Sequence, residues 1–476
     1  MYRKAGFKEA DEKITEYTSS ITLDREILEE TLLVLISHTL HLVERRVIPL
    51  DAGRRIVRTL LELYLRREDL EWSRTYEDIH EAVEAYLTKK LGEEAGYASL
   101  GRSRNDHVAA VLRLKLARSL IALAKEVIAL RETLIRRAKE HAGEVFVLHT
   151  HFQPAQTITF GHYLLSIEEE LSDIIDMMIE DVELVLKSPL GAAAGAGTSV
   201  PIDRRVLALQ TGFKDVVINS VYATSSRTFF IRALSPILSL AVLYSRISTD
   251  FYLWSHPSLS LVTPPETHVQ TSSIMPHKRN PASLEVVRAR CIDVVGEFFN
   301  VIAIESKLPT GYSLDLQEIT KHVWNSINTI REATLILGDF LAKVKPNMQV
   351  SFEVARRFIS GATEVAERIA ISKREPFRKV HAKVSSTLRK VDWNIERAIE
   401  VLSSEYGEGL KHLIDPVSQV NTKVTLGSTG PTALLESIEA ATYRVKKHRE
   451  RLDGIAQDLE GRLDMLVERA RALIAE

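Results

Sequence analysis

From Asp106 onward, apolar residues return at every third or fourth position, at Leu112, Leu116, Leu120, Leu123, Val127, Leu130 and Leu134, until Gly143 interrupts the series. That spacing keeps one helical face apolar, in the manner of a coiled-coil seam. It predicts a helix of about 36 residues, on the order of 54 Å at 1.5 Å per residue, about three times an average globular helix. Four more segments carry the same signature. They run from about Thr157 to Lys187, closed by "SPLG", and from about Ser226 to Ser255, closed by "HP"; then from Pro281 to Lys307, closed by "LP", and from Leu314 to about Val344, closed by "KPN". Five such helices in succession predict a bundle. Strand patterns are nearly absent and no solenoid-length repeat is present, so the expected fold class is all-α.

On either side of the bundle the pattern shortens. Before it, "YEDIHEAVEAYLTKKLG" places Tyr76, Ile79, Val83, Tyr86 and Leu87 on one face. After it, shorter helical patterns are separated by the polar, glycine-bearing "IDPVSQVNTKVTLGSTGP". The expectation is three domains: an N-terminal helical domain over 1–105, a central long-helix bundle over 106–350, and a small C-terminal helical domain over 351–476.

Composition narrows the class. A chain of 476 residues with 45% hydrophobic content can bury a large core. Its net charge of -2 gives no global reason to expect nucleic acid or an anionic membrane as partner. One cysteine, Cys291, excludes an internal disulfide and a cysteine-based zinc cluster, and suits a reducing compartment, by default the cytoplasm. The start, "MYRKAGFKEADEK", lacks the apolar core of a secretory signal. The most apolar segment, "FFIRALSPILSLAVLYSRISTDFYLW", is broken by Arg232 and Arg246 into a stretch of about 13 uncharged residues where a membrane span needs about 20. It reads as a buried helix.

Chemistry-bearing residues gather at the helix ends. In "TSSIMPHKRNP", from Thr271, Asn280 is a candidate cap and Pro281 suits a first helical position, which delivers Ser272, Ser273 and Lys278 to a helix start where N–H groups favour an anion. A solvated loop with ordinary capping is the alternative. "GRSRNDHVAA", from Gly101, offers Asn105 or Asp106 as a cap and Arg102 and Arg104 for a carboxylate or phosphate, or else is a plain basic turn. "HTHFQPAQ", with His149, Thr150 and His151, invites a metal reading that fails for want of acidic or cysteine ligands at ligand spacing. "SPLGAAAGAGTSVPIDRR" follows a helix and matches no nucleotide loop, so it reads as a tight turn.

Together, "GRSRND", "HTHFQPAQ" and "SSIMPHKRNP", at the ends of successive long helices, resemble the three signature regions of the fumarase/aspartase superfamily. Within it the chain resembles the argininosuccinate lyase family, through the "GRSRND" form of the first region, "EDIH" at Glu77–His80 and "GYSLDLQE" at Gly311–Glu318. The likeness runs from "TSSITLDREIL" near the start to "LIDPVSQV" and "GSTGP" near the end. It implies cleavage of argininosuccinate to fumarate and arginine, the last step of arginine biosynthesis, without metal or organic cofactor. It also implies a homotetramer whose long helices form one core and whose active sites are shared between chains. Seams on five long helices exceed what small flanking domains can cover, which agrees with association.

The resemblance implies roles residue by residue. Ser272 is the base that takes the carbon-bound proton. Lys278 is the natural cation for the dianionic aci-carboxylate that follows, where losing one preorganised donor typically costs about 10²–10³ in rate. His151 assists proton delivery to the departing nitrogen, with Glu285 as its charged partner. Ser20, Arg104, Asn105, Thr150 and Asn280 recognise carboxylate and hydroxyl groups, Tyr312 and Gln317 hold the arginine-derived portion, and His80 is a further binding candidate. The loop around Ser272 is exposed because it closes over substrate. Three positions depart from the family pattern: Thr271 stands where glycine is usual, Thr157 where proline is common, and Thr320, followed by Lys321, where a lysine is frequent. The rival readings are adenylosuccinate lyase or fumarase, against which "GRSRND" and "DLQE" argue, and a non-catalytic crystallin-like protein, against which retention of Ser272, Lys278, His151 and Glu285 argues.

Overall fold

A computed structural model describes residues 11–475 apart from Ser360, so the charged start at residues 1–10 lies outside the described residues. Five long helices follow the expected order: α1 Arg104–Glu140, α2 Phe160–Val185, α3 Thr228–Trp254, α4 Ala282–Ser306 and α5 Asp315–Lys343. Every residue of the α1 seam from Leu112 to Leu134 is buried. The fold is all-α with a few short strand pairs.

The start of α1 differs from the expected cap. Ser103 is the N-cap: its side chain accepts from Asn105 N while Asp106 Oδ1 accepts from Ser103 N at 3.0 Å, a reciprocal capping box. Asp106 has a second task. Its Oδ2 accepts from Gly191 N at 3.0 Å and Ala193 N at 2.9 Å, so the small-residue run wraps a buried carboxylate. At α4 the boundary moves by one residue: Pro281 occupies the cap position and Asn280 lies in a strand. The apolar segment around α3 is long and apolar enough to cross a membrane by composition, yet Phe230, Leu234, Ile237, Tyr244 and Phe251 are buried in the shared core.

The largest departure is at the C-terminus, where a single helix, α6, runs 45 residues from Pro431 to Ala475. Its stripe of Leu434, Ile438, Val445, Leu452, Ile455, Leu459, Leu463, Leu466 and Ala470 is buried in the same core as α1 and α2. At its middle, Arg131 of α1 donates to Glu168 of α2 and to His448 of α6, which bonds Asp176 of α2 at 3.0 Å. Three shorter helices, Ala362–Lys373, Phe377–Lys390 and Ile395–Tyr406, keep a separate small core built on Val365, Ile369, Val380, Val384, Ile399, Leu402, Leu410 and Leu413.

A β-hairpin also replaces the expected beginning of the second long helix. Strands β1 Val145–Thr150 and β2 Gln153–Thr159 pair antiparallel around a two-residue turn, His151–Phe152. Both turn residues have left-handed φ, 54° and 59°, the backbone that matches the twist of a tight hairpin. For non-glycine residues that conformation costs roughly 1–2 kcal/mol each. A second small hairpin, β3 Gln270–Thr271 with β4 Arg279–Asn280, closes the loop that precedes α4.

One face of α4 is left bare by its own chain. Ile292 is 62% and Phe299 69% exposed, with Val286, Val295 and Ile302 beside them and Leu335 and Ile336 exposed on α5. Isolated exposed apolar residues are ordinary, but a contiguous stripe marks a surface made to be covered.

Candidate active site

The site residues expected from sequence fall into two groups at opposite ends of the bundle. Ser20, His80, Tyr312 and Gln317 line one small pocket, together with Asp24, Asp78, Arg227, Leu316 and Thr320. Arg104 stands at its edge, 2.9 Å from Glu77 and 3.1 Å from Asp78, and Asn105 reaches Ala194 O at 3.5 Å. All of these sit where α1, α3 and α5 begin.

The second group lies at the far end. Thr150 and His151 are at the exposed tip of the β1–β2 hairpin, which follows the last turn of α1. Ser272, Lys278 and Asn280 belong to the β3–β4 loop, and Glu285 is in the exposed first turn of α4. That α4 starts here and finishes near the pocket is fixed by Glu305, whose carboxylate accepts from Arg227 N at 2.8 Å. The two groups are therefore separated by the length of α1, about 55 Å at 1.5 Å per residue. Among the described residues, no hydrogen bond or ion pair joins His151, Ser272, Lys278 or Glu285 to one another or to the pocket.

The chemistry of the pocket follows from burial. Ser20 Oγ donates to Asp24 Oδ2 at 2.9 Å, and the same oxygen accepts from Ile79 N at 3.0 Å. Asp78 caps the helix after it by accepting from Glu81 N at 2.9 Å. Burial pushes the Asp24 carboxyl up to about 6 and the Asp78 carboxyl up to about 8, and pulls the His80 imidazole down to about 3. Burial also lowers Arg104 to about 10 and lowers Arg227. Two acids, a guanidinium group, a phenol and an amide thus share one recess with Arg104 at its rim, a set able to hydrogen-bond polar groups of a ligand.

At the loop, Ser272 Oγ accepts from Ile274 N at 3.4 Å and Met275 N at 3.3 Å. Backbone N–H groups aimed at a hydroxyl oxygen favour its charged form. Thr271, which replaces the usual glycine, spans the loop base by donating to Pro276 O at 3.4 Å. Lys321 pairs with Glu318 at 2.5 Å, whereas Thr320 lines the pocket.

Sequence reasoning missed Asp24, Asp78 and Arg227 as pocket residues. Asp24 lies one helical turn after Ser20, and Asp78 is inside the "EDIH" motif that drew attention to His80. Arg227, fully buried with its Nε unpartnered, had one signal: a charge immediately ahead of the most apolar helix of the chain.

Comparison with known proteins identifies the family. A family model described as lyase matches residues 6–296. Argininosuccinate lyase of Pyrococcus furiosus is 39% identical over 466 residues, 96% of this chain and 98% of that protein. That of Pyrobaculum islandicum is 44% identical, covering 80% of this chain and 88% of that one. Among solved structures, EDDS lyase in complex with formate superimposes with a TM-score of 0.87 at 24% identity, over 99% of this chain and 97% of that chain, a likeness of fold. With shared sequence over nearly the whole length, the signature residues at the helix ends and the same fold, the chain belongs to the argininosuccinate lyase family.

Proposed function

We propose that this protein is a carbon-nitrogen lyase that converts argininosuccinate reversibly to fumarate and L-arginine. The observation that carries this reading is 39% identity over 466 residues to an argininosuccinate lyase, 98% of that protein. In the forward direction the Ser272 alkoxide takes the proton from the carbon beside one carboxylate. The charge moves onto that carboxylate, where the Lys278 ammonium neutralises it. The electron pair then forms the carbon-carbon double bond of fumarate. The C–N bonding electrons leave with the guanidino nitrogen, which receives a proton from His151, with Glu285 as the charged neighbour of that donor. Ser20, Arg104, Asn105, Thr150 and Asn280 recognise the carboxylate and hydroxyl groups, Tyr312 and Gln317 hold the arginine part, and His80 is a further binding residue. The elimination runs on general base and general acid transfer of protons around C–N cleavage, and the reading calls for no metal or organic cofactor.

Both halves of the site are needed at one substrate, and a single chain holds them about 55 Å apart. The reading therefore requires that a pocket end from one copy meet a hairpin tip and a loop from others. The bare stripe on α4, centred on Ile292 and Phe299, supports a homotetramer with the long helices at its centre. The domain division at 1–105, 106–350 and 351–476 belongs to the same proposal, with α6 lent back to the bundle, and so do a cytoplasmic location and the lack of a nucleic-acid or membrane partner.

The test is to supply argininosuccinate and adenylosuccinate separately to purified protein and follow fumarate. Release from the first and not the second is expected; release from adenylosuccinate alone overturns the assignment. Ser272→Ala should remove nearly all turnover with assembly intact, and near-normal turnover rejects that base.

A further inference from the structure

An isolated two-stranded hairpin is marginal in water, and this one also carries two non-glycine residues in left-handed conformations at its tip. Something else must hold it. On the β1 side, Val145 and Val147 pack against Ala355 and Phe352. Phe146 of β1 and Ile158 of β2 enter the main core, and β2 adds buried polar contacts. Thr157 Oγ1 donates to Gln419 Oε1 at 2.5 Å, across 262 positions of sequence, and Gln419 Nε2 in turn donates to Leu413 O at 2.9 Å. Leu413 is part of the separate small core, so Gln419 bridges that core to the strand. Two residues further along β2, Thr159 N donates to Thr429 Oγ1 at 2.8 Å. Gln419 lies in "LIDPVSQV" and Thr429 in "GSTGP", two motifs that the site geometry otherwise leaves without a task. Thr157 is the residue that stands where proline is common; its hydroxyl supplies one end of the bridge.

We propose that the Thr157–Gln419 hydrogen bond, backed by Thr159–Thr429, aims the hairpin tip, so that Thr157 and Gln419 are positioning residues that set turnover without touching substrate. The inference rests on the reading of His151 as proton donor. The physical basis is a lever. From Thr157 to the turn, β2 is roughly 17 Å long at about 3.3 Å per residue, so a tilt of about 3° at its base moves the tip by about 1 Å. A displacement of that size in a reacting group can cost about 10²-fold in rate. Thr157→Val keeps the shape of the side chain and removes only the donor, leaving Gln419 Oε1 buried without its partner.

The experiment measures kcat and KM for argininosuccinate in Thr157→Val, Thr157→Ser, His151→Ala and the Thr157→Val/His151→Ala double variant, alongside thermal midpoint and assembly. Thr157→Val should lower kcat by about 10- to 100-fold with KM within about twofold, and Thr157→Ser should restore it. In the His151→Ala background, Thr157→Val should lower kcat far less than in the parent, because the proton donor being aimed is gone and only the placement of Thr150 remains to be disturbed. Unchanged kcat in Thr157→Val, or the same fall in both backgrounds, overturns the positioning proposal. Near-normal turnover in His151→Ala is a distinct result and overturns the proton-donor reading instead. If Thr157→Val does not accumulate as folded protein, Thr429→Val carries the same comparison, with the same kcat loss and the same dependence on His151 expected.

Discussion

Arg131 offers a direct test of the buried charge network that joins α1, α2 and the C-terminal helix. Its guanidinium is 0% and the Glu168 carboxylate 1% exposed, and Arg131 donates to Glu168 Oε1 through Nε at 2.9 Å and Nη2 at 2.6 Å. Its third bond goes to His448 Nδ1 on α6, at 2.6 Å. Breaking a buried ion pair from one side costs about 3–5 kcal/mol, because the survivor is left charged in a low dielectric. The two sides are not equivalent here. Arg131→Met leaves Glu168 with Arg444 at 3.5 Å, so a loss near the low end, about 3 kcal/mol, is expected. Glu168→Leu leaves Arg131 with His448 as its one remaining side-chain acceptor among the described residues, so a loss near 5 kcal/mol is expected. The double variant Arg131→Met/Glu168→Leu removes both charges and should recover most of the difference. Chemical denaturation followed by far-UV circular dichroism, with thermal inactivation alongside, reads all three. A double variant no more stable than Glu168→Leu alone would refute the reasoning.

Two further outcomes follow from the pocket. Asp78, held near 8 by burial against an unfolded value of 3.8, keeps its proton in the folded chain at neutral pH while the unfolded chain has lost it. Its contribution to stability is complete below about pH 4 and is lost as pH rises through about 8, at up to about 1.4 kcal/mol per pH unit. Asp78→Asn should flatten the decline of the thermal midpoint between pH 6 and 8 relative to the parent, and an unchanged slope contradicts the assignment. Lys321→Ala should leave kcat and KM for argininosuccinate within about twofold, since a surface pair such as Lys321–Glu318 contributes little; a large rise in KM would place Lys321 in the pocket after all.

The long helices were legible because their seams repeat without interruption: Leu112 to Leu134 never misses a turn, and the observed ends of α1 to α5 fall within a few residues of the expected ones. The final helix was not. Its polar face is dense in charge, as in "YRVKKHRERLDGIAQDLEGRLD", and Gly454 and Gly461 each cost about 1 kcal/mol relative to alanine in a helix. Packing of Leu452, Ile455, Leu459 and Leu463 outweighs that local preference. The hairpin was hidden for a related reason. Its turn is His151–Phe152, without the Asn-Gly or Asp-Gly that marks such a turn, so tertiary contacts fix it: Phe146 and Ile158 in the main core, Val145 and Val147 against Ala355 and Phe352, and β2 with Gln419 and Thr429. Of the pocket lining, Ser20, His80, Tyr312 and Gln317 were picked out within their motifs, whereas Asp24 in "TSSITLDREIL" and Asp78 in "EDIH" were passed over and Arg227, outside any motif, is placed there by tertiary packing.

The claim on which the rest depends is that no chain completes an active site alone. Ser272→Ala chains and His151→Ala chains, each strongly impaired in isolation, can be dissociated together and reassembled, with mixed assemblies verified by a mass or affinity label on one parent. If Ser272 and His151 of a working site come from different chains, random assortment in a 1:1 mixture yields intact sites at up to about one quarter of the wild-type number. Recovery of fumarate release toward that level is the predicted result. Verified mixed assemblies that release none would contradict it.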